Sequence, residues 1–281
     1  MKRILMASDL SARCDRALRR AVALAKDFGA ELVVLTVTEE LFHPPTTQSN
    51  AALAEKALAE QVAAIPDAGN LKITQRVDVG WDYEDIIRCS EEIGAELIVL
   101  GIHRHSRREL FQGTTAERVV RYGSCPVLVV KDPVNGPYRF VTVASDLSQH
   151  SEAALDVAAR LVPEGNILVL HSVASRFPGF LGRDDQETLM REQRDRATAQ
   201  LQQQIERVKN QLHHHVPSIE MSFPEGDAHG VIGAEVKRLE PDLLAIGTHG
   251  RSGFANAVIG SVAEQLLADA PVDVLVTKAK W

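Results

Sequence analysis

Residues 247–261, GTHGRSGFANAVIGS, decide the interpretation of this chain. They begin at the end of the apolar run DLLAIG (242–247) and lead into VAEQLLADA (262–270), which has the pattern of a helix. Four glycines in so short a junction cost backbone entropy, so the local structure must require them. The stretch therefore predicts a strand, a specialised loop and a helix in succession.

The glycines follow a fixed spacing: Gly247-x-x-Gly250, nine residues, then Gly260-Ser261. A junction of this kind lets backbone N–H groups approach phosphate oxygens closely. The following helix adds the positive end of its dipole, Ser261 adds a hydroxyl and Arg251 adds charge. The spacing thus favours a phosphate site, and the alternative is a glycine-rich turn that serves only a tight connection.

The chain contains the same pattern twice. RILMASDLS (3–11) resembles FVTVASDLS (140–148), and farther along AELIVLG (95–101) resembles PDLLAIG (241–247). The offset between the copies is 137 at the first pair and 146 at the second, so the second copy contains an insertion of nine residues. The insertion falls in a glutamine-rich segment with a helical apolar stripe. We expect a duplication, with domains at 1–133 and 138–281 and one lengthened helix in the second.

Each copy alternates five apolar strands with helical patterns. Several of the strands are continuous apolar runs, as expected where helices cover both faces of a sheet. This alternation predicts an α/β fold with a doubly wound parallel sheet in each copy. If the strand order is 3-2-1-4-5, the ends of the first and fourth strands meet where ligands bind in such sheets. Asp146 and the Gly247 loop would then share one crevice, and Ser11 and Ser148 are expected to cap the first helices.

The first copy departs from the glycine spacing. Gly101 is kept, but Arg104 replaces the second glycine and only eight residues separate it from Gly113-Thr114. A long side chain at 104 restricts the backbone and can occupy the phosphate volume. We expect an impaired or empty site there. The alternative is a pocket for a different anion, built from Arg104, His105, Arg107 and Arg108.

Composition excludes several other classes. The net charge of −7 argues against nonspecific nucleic-acid binding, which needs a basic surface. Three scattered cysteines form no disulfide framework, and neither a signal peptide nor a membrane-length apolar run is present, so a cytoplasmic location is expected. The chain shows no GxSxG, Walker A or HExxH pattern, so no catalytic residue is assigned. Residues 213–215, three histidines, are expected to be a solvated loop rather than a metal site.

The sequence resembles the universal stress protein family in its tandem form. The resemblance rests on residues 247–261, on Ser-Asp-Leu-Ser after each first strand and on the ending from Pro271 to Val276. It covers nearly the whole chain. It implies two tandem, doubly wound, parallel five-stranded sheets that are Rossmann-like and similar to the adenine nucleotide alpha hydrolases.

The resemblance also implies which residues bind a nucleotide. Asp146 would face the ribose or the adenine side, and Val173 would offer backbone groups to the adenine edge. The phosphates would lie against Gly247, Thr248, Gly250, Arg251, Gly260, Ser261 and Val262. The corresponding positions of the first copy are Asp9, Val37, Gly101, Arg104, Gly113 and Thr114. From the residues alone, the alternative for Asp146 is a turn residue before a capped helix, and nothing but the resemblance distinguishes Val173 from an ordinary strand residue.

Nucleotide-binding members of this family hold ATP, usually with Mg²⁺ on the phosphates, so we expect an ATP-binding protein with a regulatory role in stress response. The resemblance also implies that the two final strands pair as a pseudo-dimer within the chain, and a homodimer is possible. Two alternatives stay open. One is a slow ATP-hydrolysing enzyme that uses Asp146 and a metal. The other is a nucleotide-free interaction protein in which the glycine loop is only architecture.

Overall fold

The computed structural model describes residues 1–39, 44–102, 114–173, 183–212, 216–248 and 259–279. Its internal contacts divide the chain into unit 1, Met1–Pro137, and unit 2, Tyr138–Trp281. The domain limits 1–133 and 138–281 stay predictions, and each unit is described by itself.

Unit 1 alternates strands and helices as the sequence predicts. Its elements are β1 (Arg3–Ala7), α1 (Cys14–Phe28), β2 (Glu31–Thr38), α2 (Pro44–Ala63), a 3₁₀ turn (Ala68–Asn70), β3 (Ile73–Val79), α3 (Asp82–Ile93), β4 (Leu97–Gly101), α4 (Thr115–Tyr122) and β5 (Val127–Val130). The strands are parallel and lie in the order β3-β2-β1-β4-β5.

Unit 2 repeats this arrangement. Its elements are β6 (Phe140–Ala144), α5 (Gln149–Leu161), β7 (Asn166–Leu170), α6 (Arg183–Gln211), β8 (Ser218–Ser222), α7 (Ala228–Leu239), β9 (Leu243–Gly247), α8 (Ser261–Asp269) and β10 (Asp273–Thr277). The order within the unit is β8-β7-β6-β9-β10, again all parallel. Both units therefore have the predicted doubly wound α/β fold, with the first and fourth strands adjacent.

The core lies on both faces of each sheet. In β1 the consecutive residues Ile4, Leu5 and Met6 have no exposed surface, which is possible only when both faces are covered. The first helix of each unit contributes the predicted apolar stripe, and its buried members are Leu18, Ala21, Val22 and Ala25 in α1, and Leu155, Ala158 and Ala159 in α5.

One of the two predicted helix caps is wrong. Ser148 caps α5 as expected, because its hydroxyl accepts a hydrogen bond from the Ser151 N–H. Helix α1, in contrast, begins only at Cys14, and its N-cap residue Arg13 makes no side-chain cap. Ser11 instead accepts a bond from the Cys14 N–H through its backbone carbonyl. In unit 1 residues 12 and 13 form a turn before α1, which a local serine signal does not reveal.

The residues added to the second copy lie between β7 and β8. Helix α6 has 29 residues, whereas its counterpart α2 has 20. The two helices nevertheless pack the same kind of stripe against their sheets, with Ala54, Leu58, Val62 and Ile65 buried in and after α2 and Ala197, Leu201, Ile205 and Val208 buried in α6. The predicted insertion is therefore a longer helix with an unchanged core face.

A buried hydrogen bond anchors the start of unit 2. The Tyr138 hydroxyl donates to Asp273 Oδ2 over 2.5 Å, and both residues are almost fully buried. We expect Tyr138→Phe to lower the free energy of unfolding of unit 2 by about 2 kcal/mol, since a buried carboxylate loses a donor. Urea denaturation followed by circular dichroism measures this change. Tyr122→Phe is the control. The Tyr122 side chain is 53 % exposed, so loss of its hydroxyl should change the free energy of unfolding by less than about 0.5 kcal/mol.

Candidate functional site

The turn after β6 carries Asp146. Its Oδ1 atom accepts hydrogen bonds from the Ser148 N–H over 3.1 Å and from the Ser148 hydroxyl over 2.6 Å. The Leu147 N–H donates to Ser145 Oγ over 3.1 Å. Asp146 is thus a turn residue, as the sequence allowed, and the turn fixes where its carboxylate lies.

Unit 1 builds the same turn around Asp9. Asp9 Oδ1 accepts from the Ser11 N–H over 2.9 Å, and the Leu10 N–H donates to Ser8 Oγ over 3.0 Å. Leu10 and Leu147 both adopt a left-handed backbone, with φ values of 60° and 67°. The repeat therefore extends from sequence to detailed local geometry.

The glycine loop of unit 2 begins beside the Asp146 turn. Strands β6 and β9 are neighbours, with Ala144 opposite Ile246, so the residues that follow each strand meet at the carboxyl edge of the sheet. Asp146 and Gly247 are therefore brought together as predicted.

Gly247 is required by packing against α5. A Cβ atom there would lie 2.7 Å from the carbonyl carbon of His150 and 2.7 Å from the Ser151 nitrogen. No side chain fits at such distances from backbone atoms. Packing against α5 therefore explains why residue 247 is a glycine, whether or not the residue also contacts phosphate.

The two ends of the loop are joined at its base. The Gly260 N–H donates to the Thr248 carbonyl over 2.7 Å, and the Thr248 N–H donates to the Thr277 carbonyl of β10 over 2.9 Å. Gly260 is extended and immediately precedes α8, so Ser261 and Val262 form the first turn of that helix. Ser261 is exposed and Val262 half-buried. Gly250 and Arg251 lie outside the described residues.

Val173 is already engaged by backbone pairing. Its N–H donates to the Pro224 carbonyl and its carbonyl accepts from the Gly226 N–H, each over 3.0 Å. Of the Val173 backbone groups, only the second lone pair of the carbonyl can therefore accept a hydrogen bond from a further partner. In unit 1 the Gly80 N–H donates to Thr38, so Thr38 rather than Val37 is the structural counterpart of Val173.

The corresponding positions of unit 1 have structural roles. A Cβ atom at Gly101 would approach Cys14 Sγ at 3.2 Å, and burial raises the pKa of that thiol to about 12. Thr114 caps α4: its hydroxyl accepts from the Glu117 N–H, and Glu117 Oε2 accepts from the Thr114 N–H. Arg104, Gly113 and the other members of the alternative basic pocket lie outside the described residues.

Three side chains near the Asp146 turn were not predicted. His171 bonds through Nδ1 to the Ser145 carbonyl over 2.7 Å. Gln200 and Gln204 of α6 donate to the Leu147 carbonyl over 3.0 and 3.2 Å. A signal for Gln204 did exist, because it interrupts the apolar stripe of α6 at a core-facing position.

Neither a metal cluster nor a membrane span is found in the part of the chain that the structure describes. Within those residues no group of three or more His, Cys, Asp or Glu side chains is placed to hold a metal. No helix among them combines the length and the apolar character needed to cross a bilayer. The histidines at 213–215 lie outside the described residues.

A family comparison agrees with this geometry. The model of the universal stress protein family matches residues 1–131 and again 137–278. The chain belongs to the universal stress protein family. The double match agrees with two copies of the same unit in one chain.

Individual members of the universal stress protein family show the same relation. Universal stress protein MJ0531 of Methanocaldococcus jannaschii is 29 % identical over 141 residues, which are 47 % of this chain and 83 % of that protein. The crystal structure of a universal stress protein from Archaeoglobus fulgidus matches with a TM-score of 0.72 and 22 % identity, covering 99 % of this chain and 98 % of that one. This likeness concerns the fold.

Among weaker structural matches to one unit is a universal stress protein in complex with cAMP, with 21 % identity and a TM-score of 0.41. It covers 46 % of this chain and 97 % of that one. The bound nucleotide is a property of that protein.

Proposed function

We propose that this universal stress protein binds an adenine nucleotide, ATP with Mg²⁺, at the carboxyl edge of unit 2. The observation that carries the proposal is the hydrogen bond between Gly260 and Thr248, which closes the base of the glycine loop beside the turn of Asp146. This bond fixes the two described ends of the loop, so bringing those ends together costs no further conformational entropy when a ligand binds.

The chemistry of the loop suits a polyphosphate. The first backbone N–H groups of α8 have no partner within the helix, and its dipole adds partial positive charge. The exposed Ser261 hydroxyl lies in the same turn. Gly247, Thr248, Gly250, Arg251, Gly260, Ser261 and Val262 are the residues we assign to the phosphates.

The nucleoside is assigned to the neighbouring strands. Asp146 would accept hydrogen bonds from the ribose, and the Val173 carbonyl would accept one from the adenine edge. Mg²⁺, when bound, would neutralise charge on the phosphates, since this ion is commonly held by substrate phosphates and water with few protein ligands.

The role we propose is regulatory. Nucleotide occupancy would bias a conformation or a partner contact of unit 2 during stress, in the cytoplasm. Unit 1 would carry no nucleotide and serve as the structural partner in an intrachain pseudo-dimer. A homodimer of such chains is compatible with this role.

The native nucleotide content tests the proposal. The protein is purified without added ligand and denatured, and the supernatant is analysed by anion-exchange chromatography. We expect adenine nucleotide at up to one equivalent per chain, and calorimetric binding of Mg-ATP to protein stripped of it. Protein that contains no nucleotide and shows no heat of binding would instead be an interaction protein whose glycine loop is only architecture.

A further inference from the structure

Helix α6 reaches over the Asp146 turn with two glutamines. The Nε2 atoms of Gln200 and Gln204 both donate to the carbonyl oxygen of Leu147. Gln204 is only 3 % exposed, so its amide occupies a position where an apolar side chain is the rule. A buried amide at such a position needs a reason, and the contact with Leu147 supplies it.

The contacted turn needs external support. Leu147 has a φ of 67°, a left-handed conformation that non-glycine residues adopt at an energetic cost. It is 6 % exposed, so its carbonyl oxygen is largely removed from water. Strained backbone of this kind persists where the surrounding structure over-determines it. The two glutamines fix the Leu147 carbonyl and thereby the Leu147–Ser148 peptide, whose N–H donates to Asp146 Oδ1.

Unit 1 places Gln61 of α2 beside its own first turn, but with different partners. Gln61 Oε1 accepts from the Ser8 hydroxyl over 2.7 Å, and Nε2 donates to Asp15 Oδ1 over 2.9 Å and to the Ser11 carbonyl at 3.4 Å. The buried residues Leu58 and Leu201 stand three positions before Gln61 and Gln204 in the two helices. Both copies therefore place a glutamine on the core face, although the helices differ in length by nine residues.

Ion pairs hold α6 in place on either side of this contact. Toward its carboxyl end, Arg207 forms a two-bond pair with Glu152 in the first turn of α5, at 2.7 and 2.8 Å. Toward its amino end, Arg194 approaches Glu225, the residue paired with Val173, at 3.3 Å. These ion pairs attach α6 to the start of α5 and to the segment paired with Val173, on either side of the two glutamines.

We propose that Gln204, assisted by Gln200, is the positioning residue that sets the Asp146 turn for nucleotide binding. It acts through Leu147 and touches no ligand itself. The inference deepens the proposed function and rests on it. The effect of the glutamines on the turn itself can be measured with or without nucleotide.

The experiment compares wild-type protein with the double variant Gln200→Met/Gln204→Met. Methionine keeps the length of the side chain but has no N–H donor. We expect hydrogen exchange of the Leu147 and Ser148 amides to accelerate about tenfold, and the affinity for Mg-ATP to fall about tenfold by calorimetry. Amides in the centres of β6 and β9 should keep their protection.

Two further variants keep the result interpretable. Gln61→Met removes the glutamine contacts with the first turn of unit 1, and it should leave both the exchange at Leu147 and the affinity for Mg-ATP unchanged. Gln200→Met alone changes an exposed residue and should fold even if the double variant does not, with about a threefold effect on both measurements.

Each outcome decides something. Unchanged exchange at Leu147 in a folded double variant overturns the inference, as does a loosened turn that leaves the affinity of a nucleotide-binding wild type intact. If the wild type binds no nucleotide, the proposed function fails. Accelerated exchange in the double variant would then establish that the two glutamines position the turn alone, and the nucleotide part of the inference is overturned.

Discussion

Gly247→Ala is expected to lower the free energy of unfolding of unit 2 by about 3 kcal/mol, because the new methyl group has no space. The atoms that it would meet belong to the backbone of His150 and Ser151, at 2.7 Å, and cannot turn away as a side-chain tip can. Relief requires α5 to move off β9, which would disturb buried contacts along that helix. Urea denaturation followed by far-ultraviolet circular dichroism measures the loss.

The matched control is Gly101→Ala, at the end of the fourth strand of unit 1. There the first atom encountered is the Cys14 sulfur at 3.2 Å, and backbone is met only at 3.6 Å. We expect a loss of about 1 kcal/mol or less, since a small adjustment suffices. If Gly247→Ala unfolds at the same urea concentration as the wild type, the packing explanation for this glycine is refuted.

Gly250→Arg is expected to abolish nucleotide binding by unit 2, with affinity for Mg-ATP falling more than about a hundredfold. The substitution imitates Arg104 of the first copy, adding a Cβ atom and a long side chain to a loop that we assign to the phosphates. Chromatography of the denatured supernatant should find no adenine nucleotide, while circular dichroism remains that of the wild type.

Arg104→Gly is the reciprocal control. It restores the second glycine of the first copy, but only eight residues still separate position 104 from Gly113, where the second copy has nine. We therefore expect no additional nucleotide per chain. Stoichiometric nucleotide retained by folded Gly250→Arg would show that the glycine loop does not hold phosphate.

Much of the fold could be predicted because it depends on local patterns. Runs such as Ile4–Met6 and the helical stripe at Leu18 and Val22 carry their periodicity in adjacent residues. The strand order 3-2-1-4-5 was only assumed from the sequence, and the structure has that order in both units. From the sequence, the unit 1 counterpart of Val173 was predicted to be Val37. The structure places it at Thr38, so that prediction was displaced by one residue.

The site was predicted less completely. The meeting of Asp146 with the Gly247 loop followed from a general rule about the carboxyl edges of parallel sheets. The engagement of the Val173 N–H with Pro224 did not, because a backbone bond between separate strands leaves no mark on side-chain pattern. The roles of these residues in binding a nucleotide stay proposals.

The sequence by itself determined the duplication, the alternation of strands and helices and the spacing of the loop glycines, because periodicity and repetition are written in neighbouring residues. Only the tertiary structure decided why Gly247 has no side chain and what the amide of Gln204 contacts. The first depends on a helix that begins about a hundred positions earlier in the chain, and the second on a turn more than fifty positions away. Contacts between residues so far apart in the sequence arise from the packing of complete helices and strands, and no local pattern identifies the partner atom.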